Sequence, residues 1–145
     1  MSRYTSHVGP DDELGDRARD VRRTVFIEEQ GVSEAEEMDG NDADATHVLL
    51  TADGDSVGTA RVRFVDDRTA KIERVAVVQS HRGGGLGRRL MTLAERRARE
   101  SGATTAKLHG QVAVVEFYET LGYEVVGEQF EDAGIPHRTM VKSLD

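Results

Sequence analysis

The order of apolar and polar positions predicts a chain that begins with a helix and continues into strands. Over residues 11–29 apolar side chains recur every three or four positions, which is the period of an amphipathic helix. Residues 31–45 are acidic and poor in large apolar side chains, which predicts a loop or a short irregular helix on the surface. Two strands, 46–51 and 56–65, then flank Asp53-Gly54, a dipeptide typical of tight hairpin turns.

The second half of the chain continues the alternation. The nearly continuous apolar end of residues 70–78 predicts a central strand covered on both faces. A helix with one apolar stripe runs from Leu86 towards Gly102, and a helix of this length is the usual crossover to a parallel strand, predicted at 104–109. A shorter helix and two closing strands are predicted at 112–120, 123–127 and 137–142. The pattern predicts a mixed sheet with helices on its faces, of the α+β or α/β class.

Composition narrows the class of protein. The chain has 145 residues and only two prolines, which predicts one domain over residues 1–145 without a linker. It has no cysteine, so disulfides and thiol nucleophiles are excluded. The net charge of -8 argues against a nucleic acid partner and suits a basic or amine-bearing one. The chain has no apolar run long enough to span a membrane, and residues 1–7 lack the apolar core of a signal peptide. We therefore expect no membrane association and a cytoplasmic location.

A glycine-rich turn between the central strand and the long helix is the strongest chemical signal. The turn consists of Arg82, Gly83, Gly84, Gly85, Leu86 and Gly87, and Arg88 follows it. Free backbone N–H groups and the positive end of a helix dipole meet at such a turn and bind phosphate. Glycine lets phosphate oxygens approach the amides, and the two arginines can add ionic contacts.

The register of this turn excludes two common nucleotide motifs. A Walker loop would require four residues between its first glycine and Gly-Lys-Ser/Thr, whereas here Gly83 is followed by Gly87 and then by two arginines, without lysine or hydroxyl. A dinucleotide loop would require glycine or alanine at position 88 and an acidic residue about 20 positions later. Neither motif fits, although a flexible turn without a ligand stays open on this feature alone.

Two ordered motifs resemble the GNAT N-acetyltransferase superfamily. Residues 82–87 match its pyrophosphate loop, Q/R-x-x-G-x-G/A, and Phe117-Tyr118 with Gly122-Tyr123 resembles its FYxxxGF/Y segment. Further matches over about residues 20–142 resemble the ElaA-like branch, with a departure at Gly110, where that branch usually has alanine before Gln111. The resemblance implies a GNAT fold, with a mixed, mostly antiparallel sheet and helices on both faces.

The resemblance also implies a cofactor and its site. Acetyl-coenzyme A is the expected co-substrate, and the reaction is acetyl transfer to a primary amine of a small molecule or peptide. The pantetheine arm is expected along Val75, Ala76 and Val77, the pyrophosphate at residues 82–88, and further cofactor contacts at Gln111 and Phe117. Substrate contacts are expected at Glu28, Glu29, Asp39 and His137.

Two residues are implied to carry the chemistry. Tyr118 resembles the general acid that donates to the coenzyme A sulfur, although a Phe-Tyr pair can also simply pack on the sheet. Glu73 resembles the carboxylate that accepts the amine proton through water, and a cross-strand ion pair is the alternative. The oxyanion is expected to meet a backbone N–H at Val75 or Ala76.

The same residues also fit a protein outside this enzyme class. A non-catalytic module that senses acyl-coenzyme A would keep the binding loop and lose the chemistry. No metal is expected, because His47, His109 and His137 are too far apart in sequence to form a local motif and residues 39–44 lack the glycine and glutamate of a calcium loop. Many relatives are dimers, so a homodimer stays open.

Overall fold

The computed structural model describes residues 3–145, and Met1 and Ser2 lie outside the described residues. The strands are β1 (Tyr4–Pro10), β2 (Thr46–Ala52), β3 (Asp55–Phe64), β4 (Thr69–Val77), β5 (Thr105–Gln111), β6 (Glu124–Asp132) and β7 (Ile135–Ser143). The α-helices are α1 (Asp11–Arg22), α2 (Glu34–Glu37), α3 (Leu86–Glu100) and α4 (Val115–Thr120). A π-helical segment (Arg23–Glu29) continues α1, and 3-10 turns stand at Gln79–His81 and Val112–Val114.

The strands form one sheet in the order β1-β2-β3-β4-β5-β7-β6. The β4–β5 pair is parallel and the other neighbours are antiparallel, so the predicted mixed, mostly antiparallel sheet is confirmed. Helices cover both faces. On β2, Val48 and Leu50 pack with the α3 side chains, whereas Leu49 between them packs with Val21 and Val25 from the opposite layer.

The central strands separate where the cleft opens. β4 and β5 are paired only at Thr69, Ala70 and Lys71 in the part of the chain that the structure describes, although both strands continue further. A bulge in β4 lies where the two strands have parted, because Arg74 takes a positive φ of 55° and the register to β3 shifts there. β5 keeps its pairing to β7 as far as Gln111, so β5 follows β7 and a gap opens towards β4.

Most of the predicted helices and strands are present, and the first helix differs in its hydrogen-bonding pattern. The hairpin at Asp53-Gly54 is confirmed, with φ of 52° and 89° at the two residues, as a type I′ turn requires. The first helix covers the predicted span, but its last seven residues are π-helical: Gln30 N–H donates to Val25 O, five residues earlier, at 3.1 Å.

Strand β1 was not predicted. Its side chains are mostly exposed, and only Gly9 is buried, so it carries no period-two pattern of apolar residues. It exists because it pairs along the whole length of β2, from Tyr4 opposite Ala52 to Pro10 opposite Thr46. In residues 3–145 no helix is both long and apolar enough to cross a membrane.

Candidate active site

The cleft between β4 and β5 is a cavity of about 430 Å³. Its apolar end is lined by Val25, Phe26, Val75, Val77, Phe117 and Tyr118. Its polar end is lined by Lys71, Glu73 and Arg74 from β4, His109 from β5 and His137 from β7. The π-helical segment closes one side. The glycine turn follows the 3-10 turn after β4, and of residues 82–88 Arg82 lines the cavity.

The edge of β4 that faces β5 has no strand partner beyond Lys71 in the part of the chain that the structure describes. Val78 N–H donates to Val57 O on β3 at 2.9 Å, and successive residues of a strand direct their backbone groups to opposite sides. The N–H and C=O groups of Val77 and Val75 therefore point away from β3, into the gap. Ala76 directs its N–H towards β3, so of the two predicted oxyanion donors only Val75 can reach the cleft.

The glycine turn has the conformation that an anion cradle requires. Gly83 and Gly85 have φ of 86° and 82°, a region that side chains rarely adopt. A methyl group built on Gly83, Gly84 or Gly85 would meet no atom within 4 Å, so the space above the turn is open. Gly85 caps α3 without a side-chain hydrogen bond, which leaves the N–H groups of the first turn free for a ligand. Arg88 is exposed on that turn.

Two residues of the predicted loop have a packing role as well. Leu86 is buried in the main core, so only its backbone N–H can face a cofactor. Gly87 lies against Phe117, and a methyl group there would come within 3.3 Å of the phenyl ring. Gly87 therefore brings α3 close to α4, where Tyr118 stands.

Arg82 bends back across the mouth of the cleft. Its two terminal nitrogens donate to the Glu29 carboxylate at 2.7 and 2.8 Å, and Nε donates to Val77 O at 2.8 Å. Next to this pair, Gln111 Nε2 donates to Gln30 Oε1 at 2.9 Å. The end of the π-helical segment is thus joined to both walls of the cleft by side chains that line it.

Tyr118 stands in the cleft with its proton retained. It is 8% exposed, and burial raises the pKa of its phenol to about 12. Its ring makes edge contacts with Phe117 and Tyr123, at centroid distances of 5.2 and 6.1 Å, and Gly110 leaves room for it. Within residues 3–145 no hydrogen bond to its hydroxyl is present, so the phenol is free to donate.

Glu73 lines the cleft but is held by cations. Arg61 lies opposite it on β3 and donates at 2.6 and 3.0 Å, and Arg63 and Lys71 also bind its carboxylate. Burial alone would raise the pKa of Glu73, but the hydrogen bonds from Arg63 and the charges of Arg61 and Lys71 lower it to about 2. A carboxylate so stabilised is a weak proton acceptor. The cross-strand ion pair that the sequence left open is therefore present, and Arg61 is the partner of Glu73.

Two histidines complete the polar end. His137 is 9% exposed and shares a hydrogen bond of 2.7 Å between Nδ1 and Ile135 O, which makes Nδ1 the donor and, in the neutral ring, leaves Nε2 as an acceptor. Burial and the nearby Lys71 and Lys107 lower the pKa of His109 to about 4, so this ring is neutral at pH 7. Phe130 packs between the two imidazoles, at centroid distances of 4.9 and 5.9 Å.

The remaining predicted substrate residues do not meet in the cleft. Glu28 is exposed outside it, and Asp39 is bound by Arg61 Nη1 and Nη2 at 2.9 and 2.8 Å. Residues 39–44 are therefore not a fully solvated loop, because Asp39 and Asp42 face inward onto arginines. Arg74 was missed as a lining residue, since its positive φ leaves no mark on the sequence. Among residues 3–145 no group of three or more His, Asp or Glu side chains is placed to hold a metal ion.

Comparison with known proteins agrees with this geometry. A family model described as an acetyltransferase (GNAT) domain matches residues 12–144. YjcF, an uncharacterized N-acetyltransferase of Bacillus subtilis (strain 168), is 39% identical over 123 residues, covering 84% of this chain and 87% of its own. Protein ElaA of Escherichia coli (strain K12) is 30% identical over 129 residues, covering 86% and 84%.

The fold is also similar to those of solved structures. The crystal structure of Escherichia coli ElaA superposes with a TM-score of 0.86 at 26% identity, covering 96% of this chain and 99% of that one. An acyl-CoA N-acyltransferase from Pseudomonas aeruginosa superposes with a TM-score of 0.84 at 26% identity, covering 95% and 99%. The fold and the cleft define an acyltransferase. The chain belongs to the GNAT acetyltransferase family, in its ElaA-like branch.

Proposed function

We propose that the chain transfers the acetyl group of acetyl-coenzyme A to a primary amine of a small molecule or peptide. The observation that carries the proposal is the meeting, in one cleft, of the β4 backbone at Val75, which has no strand partner on β5, with the protonated Tyr118. The family uses acetyl-coenzyme A, and the open glycine turn at the N-terminus of α3 suits its pyrophosphate. When bound, this co-substrate supplies an acetyl thioester.

Each side chain and backbone group has a distinct task in this proposal. Val75 N–H stabilises negative charge on the carbonyl oxygen during attack, because it is a fixed donor that needs no rearrangement. Tyr118 donates its proton to the departing sulfur, which has an ordinary thiol pKa of about 8.5 and needs only modest help. Phe117 and Val77 keep water from the thioester.

The acceptor of the amine proton stays a prediction. Glu73 lies at the polar end of the cleft, but its low pKa makes it an inefficient base. His137 offers a second acceptor in Nε2, since Nδ1 is occupied by Ile135 O. Separate Glu73→Gln and His137→Gln variants distinguish the two, because loss of the base lowers kcat most at low pH, where the amine is mostly protonated.

The direct test measures thiol release with a panel of primary amines. The chain has no cysteine, so a thiol reagent detects coenzyme A without background from the protein. We expect amine-dependent thiol release and acetyl-coenzyme A binding by calorimetry. Absence of both from folded protein would contradict the proposal.

Two further expectations belong to this proposal. Matching of one family model to residues 12–144 and the presence of one seven-stranded sheet support a single domain. Nothing in the cleft favours a sensing module over an enzyme, and a sensor would keep its response in Tyr118→Phe, whereas an enzyme would lose turnover.

A further inference from the structure

At the polar end of the cleft the basic side chains are more exposed than the buried acidic side chains that they contact. The Glu37 and Glu73 side chains are 3% and 7% exposed, whereas those of Arg74 and Lys71 are 21% and 17% exposed. All four residues line the cleft. A molecule in the polar end therefore meets the guanidinium and the ammonium first.

The buried carboxylates are already matched by other partners. Arg22 and Arg74 bind Glu37, and Glu73 is bound by Arg61 and Arg63 in addition to Lys71. Because the buried Arg22 and Arg61, whose side chains are 1% exposed, share the charge of these carboxylates, the carboxylates do not fully neutralise both lining cations. The other acidic residues of the cleft at this end, Glu36 and Asp132, are exposed.

Arg74 still has donors to offer. Its Nε lies 3.0 Å from Glu37 Oε2, and Nη2 donates to the carbonyls of Glu36 and Glu37 and to Asp39. In residues 3–145 Nη1 has no partner of its own. These contacts hold the guanidinium in place while Nη1 keeps its donors, and an N–H of a charged guanidinium forms a strong hydrogen bond to a carboxylate.

Arg74 is the sequence neighbour of Val75, the proposed oxyanion donor. It directly precedes Val75, whose N–H faces the cleft, and its φ of 55° is a strained conformation for a residue with a side chain. Arg74 and Val75 both line the cleft, so the proposed anion subsite and the proposed oxyanion donor share one cavity.

We propose that Arg74 and Lys71 form an anion subsite at the polar end of the cleft, and that the acceptor is a primary amine with a carboxylate a few bonds away. Arg74 binds the carboxylate through Nη1, and Lys71 adds a second positive charge. The exposed Glu36 and Asp132 attract the ammonium group as the molecule enters. The inference rests on the proposed acetyl transfer and adds the class of its acceptor.

Matched pairs of acceptor amines test the subsite in the folded protein. L-phenylalanine is compared with 2-phenylethylamine and with L-phenylalaninamide, and L-ornithine with 1,4-diaminobutane, by thiol release at pH 8. We expect kcat/KM to favour the carboxylate-bearing member of each pair at least roughly tenfold, as a charge-assisted hydrogen bond would give. Equal or faster turnover of the amines without carboxylate overturns the subsite and leaves acetyl transfer intact.

Variants separate recognition from structure. Arg74→Gln should abolish the preference for carboxylates, and Arg74→Lys should restore part of that preference. Arg63→Gln is the matched control, because Arg63 binds the same Glu73 network outside the cleft lining, and its preference should stay. If Arg74→Gln slows both acceptors by the same factor, the role is structural and the subsite is overturned.

A binding measurement does not depend on turnover. N-acetyl-L-phenylalanine should bind the wild-type protein at least roughly tenfold more tightly than N-(2-phenylethyl)acetamide in calorimetry, and Arg74→Gln should remove the difference. Equal affinities in the wild-type protein overturn the subsite. Cofactor binding without turnover of any amine contradicts the proposed function, and the acceptor class fails with it.

Discussion

Removal of the Tyr118 hydroxyl should cost catalysis without costing stability. The hydroxyl has no hydrogen bond within residues 3–145, so Tyr118→Phe leaves no donor or acceptor unpaired. The ring keeps its contacts with Phe117 and Tyr123. We therefore expect the free energy of unfolding to stay within about 1 kcal/mol of wild type, or to rise slightly, since a buried hydroxyl without a partner is itself unfavourable.

The expected loss of rate follows from the two acids involved. General acid catalysis contributes about 100-fold to 10,000-fold in typical enzymes. A thiol with a pKa of about 8.5 leaves far more readily than an amine or alkoxide, so the effect should lie near the lower limit, about 100-fold in kcat. With its pKa at about 12, Tyr118 keeps its proton at neutral and mildly alkaline pH, and no loss of rate from its ionisation is expected below about pH 11.

Tyr123→Phe is the matched control. Tyr123 donates to the buried Glu95 at 2.9 Å and does not line the cleft, so its removal leaves a buried carboxylate with one partner fewer. We expect a loss of about 1–3 kcal/mol in stability with kcat retained. Thiol release and urea unfolding measure both variants. A kcat within twofold of wild type for Tyr118→Phe, or a parallel loss of stability, would refute the acid role.

Three further predictions concern the cofactor loop and the charge network. Gly84→Ala should weaken acetyl-coenzyme A binding about tenfold, because the new methyl group enters the open space where the phosphate is expected. The Tm should not change, because the methyl group reaches no protein atom. Equal Kd values for the variant and the wild-type protein in calorimetry would contradict the phosphate cradle. Glu29→Gln should change the free energy of unfolding by less than about 1 kcal/mol, as for other exposed ion pairs. It should also lower the Kd for coenzyme A, because Arg82 becomes free to bind the cofactor. A higher Kd would show instead that the ion pair organises the site. The pKa of Glu73 is lowered from 4.5 to about 2, so the ionised carboxylate should stabilise the folded protein by about 3 kcal/mol above pH 4.5. This contribution should be lost as the pH falls towards 2. A free energy of unfolding in urea that is unchanged between pH 6 and pH 3 would contradict the prediction.

The sequence by itself determined the elements whose signals are local. The Asp53-Gly54 turn is specified because both residues must adopt positive φ, and few dipeptides do so readily. The apolar stripe of α3 and the glycine turn before it follow from helical periodicity and from the conformational freedom of glycine. These local features were enough to predict the phosphate cradle, the sheet with helices on both faces, and the family.

Only the tertiary structure decided how the site is assembled. Strand β1 has no pattern of its own and exists through its pairing with β2. Arg82 lies 53 residues from Glu29, yet the two form an ion pair at the mouth of the cleft. Glu73 was predicted as a base, and its three cationic partners come from β3 and from its own strand. Sequence spacing does not report such charges, because pairing across a sheet sets which side chains meet and burial sets how strongly they shift each other's pKa values.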